Sequence, residues 1–240
     1  MEGLLQKIIA GEPKSIAKAI TLVENKIEGY QELLEQLPSS GSKKIIGITG
    51  PPGAGKSTLT DQLIAQYIAE GKRIAVLCID PSSPFHKGAL LGDRIRMSRW
   101  HAYEQVYIRS LASRGSLGGL HPSIMEISKV LAAAPFDKII IETVGVGQSE
   151  VEIARLADIT VVVLVPESGD EIQSMKAGLM EIADIFVVNK SDRPGSDLFA
   201  QNIEHITHFS SSVKKIIKTT ATSGEGVREL YEALESWDKP

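Results

Sequence analysis

Short apolar runs alternate with stretches of helical periodicity along this chain. The runs near 44–49, 73–79, 106–108, 137–142, 159–165, 184–189 and 214–218 are rich in Ile and Val and have the length of buried strands. Between them, apolar residues recur at helical spacing near 56–70, 123–134, 150–155, 171–181, 197–208 and 226–236. In the first of these, Leu59, Leu63, Ile64 and Ile68 share one face. Such alternation predicts an α/β fold, a mostly parallel sheet flanked by helices on both faces. Ahead of it, residues 4–37 read as two helices broken near Gly11-Glu12-Pro13, with Leu4, Leu5, Ile8, Ile9, Ile16, Ile20, Val23 and Ile27 as their apolar positions. Pro38-Ser39-Ser40-Gly41-Ser42 is a short linker. The expected division is therefore an N-terminal helical extension over 1–40 and an α/β domain over 41–240.

The junction between the first strand and the first helix of that domain reads Gly50-Pro51-Pro52-Gly53-Ala54-Gly55-Lys56-Ser57, followed by Thr58. This is a complete G-x-x-x-x-G-K-[ST] phosphate loop in its required strand–helix context. Glycines let backbone N–H groups turn inward around phosphate, and the helix N-terminus adds partial positive charge. Lys56 reaches β- and γ-phosphates, and the Ser57 hydroxyl suits Mg²⁺. A nucleoside triphosphate is the expected ligand.

A second pattern selects the base. The apolar run 185–188 leads straight into Asn189-Lys190-Ser191-Asp192. A carboxylate at Asp192 accepts two hydrogen bonds from guanine, at N1–H and the 2-amine, whereas adenine offers an acceptor at N1 and no 2-amine. Pairing of this kind discriminates by about 10⁴ or more in favourable sites. The Lys190 stem can lie across the purine face, and Asn189 can tie this loop to the phosphate loop. Guanine nucleotides, GTP and GDP, are expected over adenine ones.

Between the two lies Glu142-Thr143-Val144-Gly145, closing the run 137–142. GTPases commonly carry Asp-x-x-Gly here, the acid orienting metal-bound water and the glycine N–H contacting the γ-phosphate. Glu142 is one methylene longer, which leaves three roles open: metal ligand, positioner of the attacking water, or both. Lys56 and Glu142 are the candidate catalytic residues, and Gly145 a candidate nucleotide contact. Downstream, Thr219-Thr220-Ala221-Thr222-Ser223-Gly224 follows the last strand and can close over the base through backbone N–H groups at Thr220, Ala221 and Thr222. All four signals fall after strands, where ligands of parallel sheets bind.

Composition narrows the alternatives. At 240 residues, with 42% hydrophobic and 23% charged, the chain can bury one large core. A net charge of −4 gives no broad basic surface for nucleic acid. No apolar run approaches the ~18 residues of a membrane span, and the N-terminus lacks a signal-peptide progression, so a cytoplasmic location is expected. Cys78, the only cysteine, lies inside an apolar run and reads as core. His86, His101, His121, His205 and His208 show no metal-ligand spacing. Two connections, 80–97 and 109–121, are long and glycine-containing and read as candidate switches. Among Arg94, Arg96, Arg109 and Arg114 no arginine finger stands out.

Taken together, Gly50–Thr58, Asp80-Pro81-Ser82-Ser83, Leu91-Gly92-Asp93-Arg94 with Arg96-Met97, Arg114–Gly119, Glu142–Glu150, Gly169–Gln173 and Asn189–Asp192 resemble the MeaB/ArgK/MMAA-type P-loop GTPases of the SIMIBI group. Glu142-Thr143-Val144-Gly145-Val146-Gly147-Gln148-Ser149-Glu150 is the most specific of these stretches, and the resemblance runs from about residue 4 to about 235. It implies a SIMIBI G domain that hydrolyses GTP. It further implies a G-protein chaperone that gates cofactor loading of, and protects, an adenosylcobalamin-dependent acyl-CoA mutase of the methylmalonyl-CoA mutase class. By the same resemblance Asp80 and Asp93 approach the metal beside Ser57 and Glu142. Two departures stand against full transfer: the sequence stops at Pro240, before the C-terminal arm through which relatives dimerise, so monomer and homodimer are both open, and Glu167-Ser168 replaces small or apolar residues. A P-loop metabolite kinase and a nickel-insertion-type GTPase are the competing readings; the second calls for Cys/His ligands that a single cysteine does not supply.

Overall fold

The computed structural model describes residues 2–38, 44–80, 97–113, 120–145, 149–168, 177–208 and 214–237. Its strands are β1 (Ile45–Thr49), β2 (Ile74–Asp80), β3 (Val106–Ala112), β4 (Lys138–Glu142), β5 (Ile159–Leu164), β6 (Ile185–Asn189) and β7 (Lys215–Thr219). The helices are α1 (Glu2–Ile9), α2 (Pro13–Glu24), α3 (Tyr30–Gln36), α4 (Lys56–Ala69), α5 (Ile124–Ala133), α6 (Ser149–Leu156), α7 (Ala177–Ile182), α8 (Ser196–His208) and α9 (Val227–Glu235). Every strand pairing is parallel, in the order β3-β2-β4-β1-β5-β6-β7. The parallel sheet flanked by helices that the alternation predicts is therefore present.

Strands covered on both faces read as continuous apolar runs, and β2 is buried at every position. Alternate residues serve opposite layers. Ile46, Ile48, Val76, Cys78, Val161, Val163 and Val187 face α4 and α9, forming one cluster with Leu59, Leu63, Leu230 and Leu234. Ala75, Leu77, Ile79, Ile139 and Ile141 face the other way. They pack with Ile8, Ile16, Ile20 and Leu33 of the N-terminal helices, with Ile127 and Leu131 of α5, and with Ile153 of α6. Farther along that face, Val162, Leu164, Phe186 and Val188 meet Phe199 and Ile203 of α8. Cys78 is wholly buried, as its surroundings in the sequence suggested.

Polar pins set the amino ends of the strands. Asp137, Asp158 and Asp184 stand just before β4, β5 and β6. Each accepts the backbone N–H at or beside a neighbouring strand's start: Arg73 at 2.7 Å, Ile45 at 2.7 Å and Thr160 at 2.8 Å. On the same edge Glu235 of α9 is paired with Lys72 and with Lys138, the latter at 2.9 Å. Burial, then Glu235 and Tyr231, push the Tyr67 hydroxyl's pKa far up.

Two expectations need correction. The N-terminal segment forms three helices rather than two. The second break falls between Glu24 and Tyr30, where Lys26 (φ 50°) and Gly29 (φ 88°) adopt left-handed backbone. Strand β3 runs on to Ala112, beyond the 106–108 read from its apolar residues. It is an edge strand, so Arg109 and Ser110 can interrupt the apolar run; Arg109 ion-pairs with Glu24 at 2.9 Å. Of the helix expected over 171–181, the described part is Ala177–Ile182, and 171–176 lie outside the described residues. No helix among the described residues is long and apolar enough to cross a membrane.

Candidate nucleotide site

Strand β1 lies between β4 and β5, where the chain's excursions to either side of the sheet begin, so the carboxyl end of β1 opens into a crevice. A cavity of about 500 Å³ occupies it, lined among others by Gly53, Gly55, Lys56, Ser57, Asp80 and Glu142. Pro52, Thr58, Thr143, Val144 and Lys190 complete much of the wall. Residues from β1's end, β2's end, β4's end and β6's end thus converge on one space.

The phosphate loop leaves β1 through Gly50 (φ 135°), where a Cβ would lie 2.0 Å from the Val163 carbonyl oxygen. It enters α4 through Gly55 (φ 90°), where a Cβ would lie 2.3 Å from Asn189 Nδ2. Between them the Ala54 N–H donates to the Pro51 carbonyl at 3.3 Å. Lys56 is almost fully buried, and its ammonium donates to the carbonyls of Gly50 (2.9 Å), Pro51 (3.0 Å) and Val144 (3.5 Å). This fixes a positive charge on the cavity wall at the N-terminus of α4, a site built for anionic oxygens. Gly145 (φ 85°) closes against the same lysine: a Cβ there would sit 2.5 Å from Nζ and 2.2 Å from the Gly50 carbonyl oxygen.

The Ser57 hydroxyl donates to Glu142 Oε1 at 2.6 Å, and Glu142 is 2% exposed. Asp80, at the end of β2 and 3% exposed, lines the same cavity. One hydroxyl and two carboxylates beside the phosphate loop make a set of hard oxygen donors suited to Mg²⁺. Asp93, expected with them, lies outside the described residues, as do Arg94, Arg96, Arg114 and the segment Val146-Gly147-Gln148. Arg109 is described, and its guanidinium is held by Glu24 and by Thr21 (3.2 Å) at the β3 edge.

Asn189 joins the loops. Its Nδ2 donates to the Ala54 carbonyl at 2.8 Å, while its Oδ1 accepts from the Thr219 hydroxyl at 3.0 Å and the Ala221 N–H at 3.1 Å. The tie to the phosphate loop follows the sequence expectation; the tie to Thr219 was not foreseen. Its only trace in the sequence is that each residue closes an apolar run; the pairing of β6 with β7 then sets them side by side. Also unforeseen is the buried hydroxyl pair Thr49–Thr143 at 2.8 Å, which joins the ends of β1 and β4 beneath the cavity.

Lys190 (φ 57°) turns the chain after β6 and lines the cavity; Asp192, two residues on, is exposed. In the facing loop the Thr220 N–H donates to the Glu225 carbonyl at 3.0 Å, and Ala221's is taken by Asn189. Both amides shape the loop itself, and Thr222 is exposed at its tip.

Residues 16–239 match the family model described as methylmalonyl-CoA mutase-associated GTPase MeaB. The chain belongs to this MeaB family of GTPases. A Pyrococcus horikoshii protein carrying a provisional GTPase name is 47% identical over all of this chain and 78% of its own length. Escherichia coli GTPase ArgK is 36% identical over 96% of this chain and 73% of itself. Among solved structures, one titled as an LAO/AO transport system kinase matches with TM-score 0.78 and 30% identity, covering 98% of this chain and 73% of that one. A Helicobacter pylori HypB structure matches at TM-score 0.63 and 17% identity, a likeness of fold alone. The MeaB-family chain is thus a GTPase that binds guanine nucleotide, and the crevice at β1 is where its geometry can receive a triphosphate.

Proposed function

We propose that this MeaB-family GTPase uses GTP hydrolysis as a conformational signal to an adenosylcobalamin-dependent acyl-CoA mutase of the methylmalonyl-CoA mutase class, gating cofactor loading and protecting the enzyme. The observation that carries the reading is the match over residues 16–239 to a family described by its association with methylmalonyl-CoA mutase. The site's chemistry supports the hydrolytic half. Lys56 and the phosphate-loop amides neutralise β- and γ-phosphate oxygens. Glu142 holds the attacking water in line, and Gly145 lets the backbone approach the γ-phosphate. Asp192 accepts from the guanine edge, with Lys190 across the ring and Asn189 fixing the loop's height above the phosphates. Ser57, Asp80 and Glu142, with Asp93 as a further ligand, would hold Mg²⁺, which supplies charge neutralisation to the phosphates. Phosphoryl transfer depends mostly on such positioning and charge.

Turnover of the isolated chain is expected below about 10⁻² s⁻¹, with acceleration by the partner. The test is a pull-down against candidate mutases with GDP or a non-hydrolysable GTP analogue bound, read together with GTPase rate. Nucleotide-independent association, or fast turnover without a mutase, would count against the proposal. Release of phosphate to water rather than to a metabolite separates this reading from a kinase.

A further inference from the structure

The turn after β6 carries two opposite charges side by side, Asp192 and Arg193, both exposed. Its backbone is anchored on three sides. Ser191 N–H donates to the Thr219 carbonyl at 3.0 Å, Arg193 N–H to the Lys190 carbonyl at 3.0 Å, and the Ser196 hydroxyl to the Ser191 carbonyl at 2.8 Å. These bonds hold the main chain of the turn, and its two charged side chains project from it to choose their partners. A guanidinium is always charged and prefers a carboxylate; with Asp197 paired to Lys218, two candidates stand near it among the described residues. One is Asp192, its neighbour; the other is Glu167, in the short 3₁₀ turn Pro166–Ser168 that follows β5, the strand beside β6. The structure gives Arg193 to Glu167.

We infer that Glu167 is a specificity-positioning residue: by holding Arg193 it keeps the Asp192 carboxylate available to the guanine edge. The inference rests on the reading of Asp192 as the base selector. Glu167 touches no nucleotide; it acts through Arg193. The Glu167 carboxyl is held below its ordinary range first by the Arg193 hydrogen bond, and the charge of Lys190 acts on it in the same sense. Glu167 is therefore the ion-pair partner of Arg193, the cation next to the selecting carboxylate, and it keeps that guanidinium off Asp192.

When Glu167 is neutralised, Arg193 turns to Asp192 and takes up one of its carboxylate oxygens, leaving the other to the purine. Guanine, which gives Asp192 two hydrogen bonds, loses more than hypoxanthine, which lacks the 2-amine and gives one. The experiment measures binding of GDP and IDP to wild type, Glu167→Gln, Arg193→Gln and the double variant. Glu167→Gln is expected to shrink the GDP:IDP preference about two- to fivefold, the scale of an exposed ion pair. Arg193→Gln alone should leave the preference near wild type, and the double variant should restore it. A preference unchanged in Glu167→Gln, or a loss that persists in the double variant, overturns the inference; the latter would mark a structural role at the end of β5. Asp192→Asn is measured in parallel and should shift preference to xanthine nucleotides, whose 2-oxo group accepts from an amide. If that shift fails, the base-selector reading falls and the inference with it. If the shift occurs while the cycle is additive, the inference alone falls.

Discussion

Asn189 makes three hydrogen bonds from one buried side chain, to Ala54, Thr219 and Ala221, and so sets the spacing of three separate loops. Removing it leaves buried polar partners unsatisfied, each at about 1–3 kcal/mol. Asn189→Ala is therefore expected to lower the thermal midpoint and, more sharply, GDP affinity, since the phosphate loop and base loop lose their common tie. Calorimetric titration with GDP, compared with the unfolding midpoint, checks both. Glu142→Gln works differently. The amide still fills the space beside Ser57 but carries no charge and cannot act as a base. GTP hydrolysis should fall by about 10²–10⁴-fold, the usual contribution of a positioned acid or base. GDP binding should persist, and single-turnover phosphate release against equilibrium binding separates the two effects.

At the scale of elements, the position of α6 is set by a missing side chain. Gly47 in the middle of β1 would place a Cβ 2.6 Å from Ile153 Cγ1 and 3.0 Å from Ala157 Cβ, so the helix lies closer to the sheet than any other residue permits. Gly47→Ala is expected to destabilise the protein by about 1–3 kcal/mol through overpacking, measured by urea unfolding. Because Gly47 faces away from the phosphate loop, GDP affinity per folded molecule should change little. The same sequence position reads, taken alone, as a weak spot in a strand. The three aspartates before β4, β5 and β6 are similarly opaque in one dimension: Asp137, Asp158 and Asp184 look like polar punctuation, and only strand order reveals whose N–H each accepts.

For the molecule as a whole, Glu235 fastens α9 across the amino edge of the sheet through Lys72 and Lys138. Burial alone would raise its pKa, but hydrogen bonds from both lysines outweigh it and hold the carboxyl below the ordinary value of 4.5. An acid with a lowered folded pKa stabilises fully above its unfolded value and loses that contribution as pH falls toward the folded one. Stability carried by this contact should thus decline from about pH 4.5 downward. Glu235→Gln should be less stable at neutral pH and show a shallower decline in acid, read from thermal midpoints across pH. Lys72 is shifted up despite partial desolvation, by the hydrogen bonds it donates to Glu235 and Tyr231, so the alkaline counterpart of this loss begins only above its ordinary range.

Much of this protein is local, and the local part was written in the sequence. The phosphate loop is eight consecutive residues whose glycines, lysine and serine act within a single turn, so Gly50–Ser57 announce their geometry without reference to the rest of the chain. Alternating apolar periods likewise announce a parallel sheet, because strands covered on both faces have little room for polar residues. What the sequence alone left undetermined depends on distance across the fold. Strand order decides that Glu142 and Asp80 meet Ser57 in one cavity, that Asn189 stands beside Thr219, and that Arg193 pairs with Glu167 rather than Asp192. The edge position of β3 and the third N-terminal helix were hidden for a related reason: an edge tolerates polar residues in a strand, and left-handed Lys26 and Gly29 break a helix without a proline. Chemistry carried by neighbours along the chain is legible in one dimension; chemistry carried by neighbours across the sheet exists only after register and layer packing have brought them together.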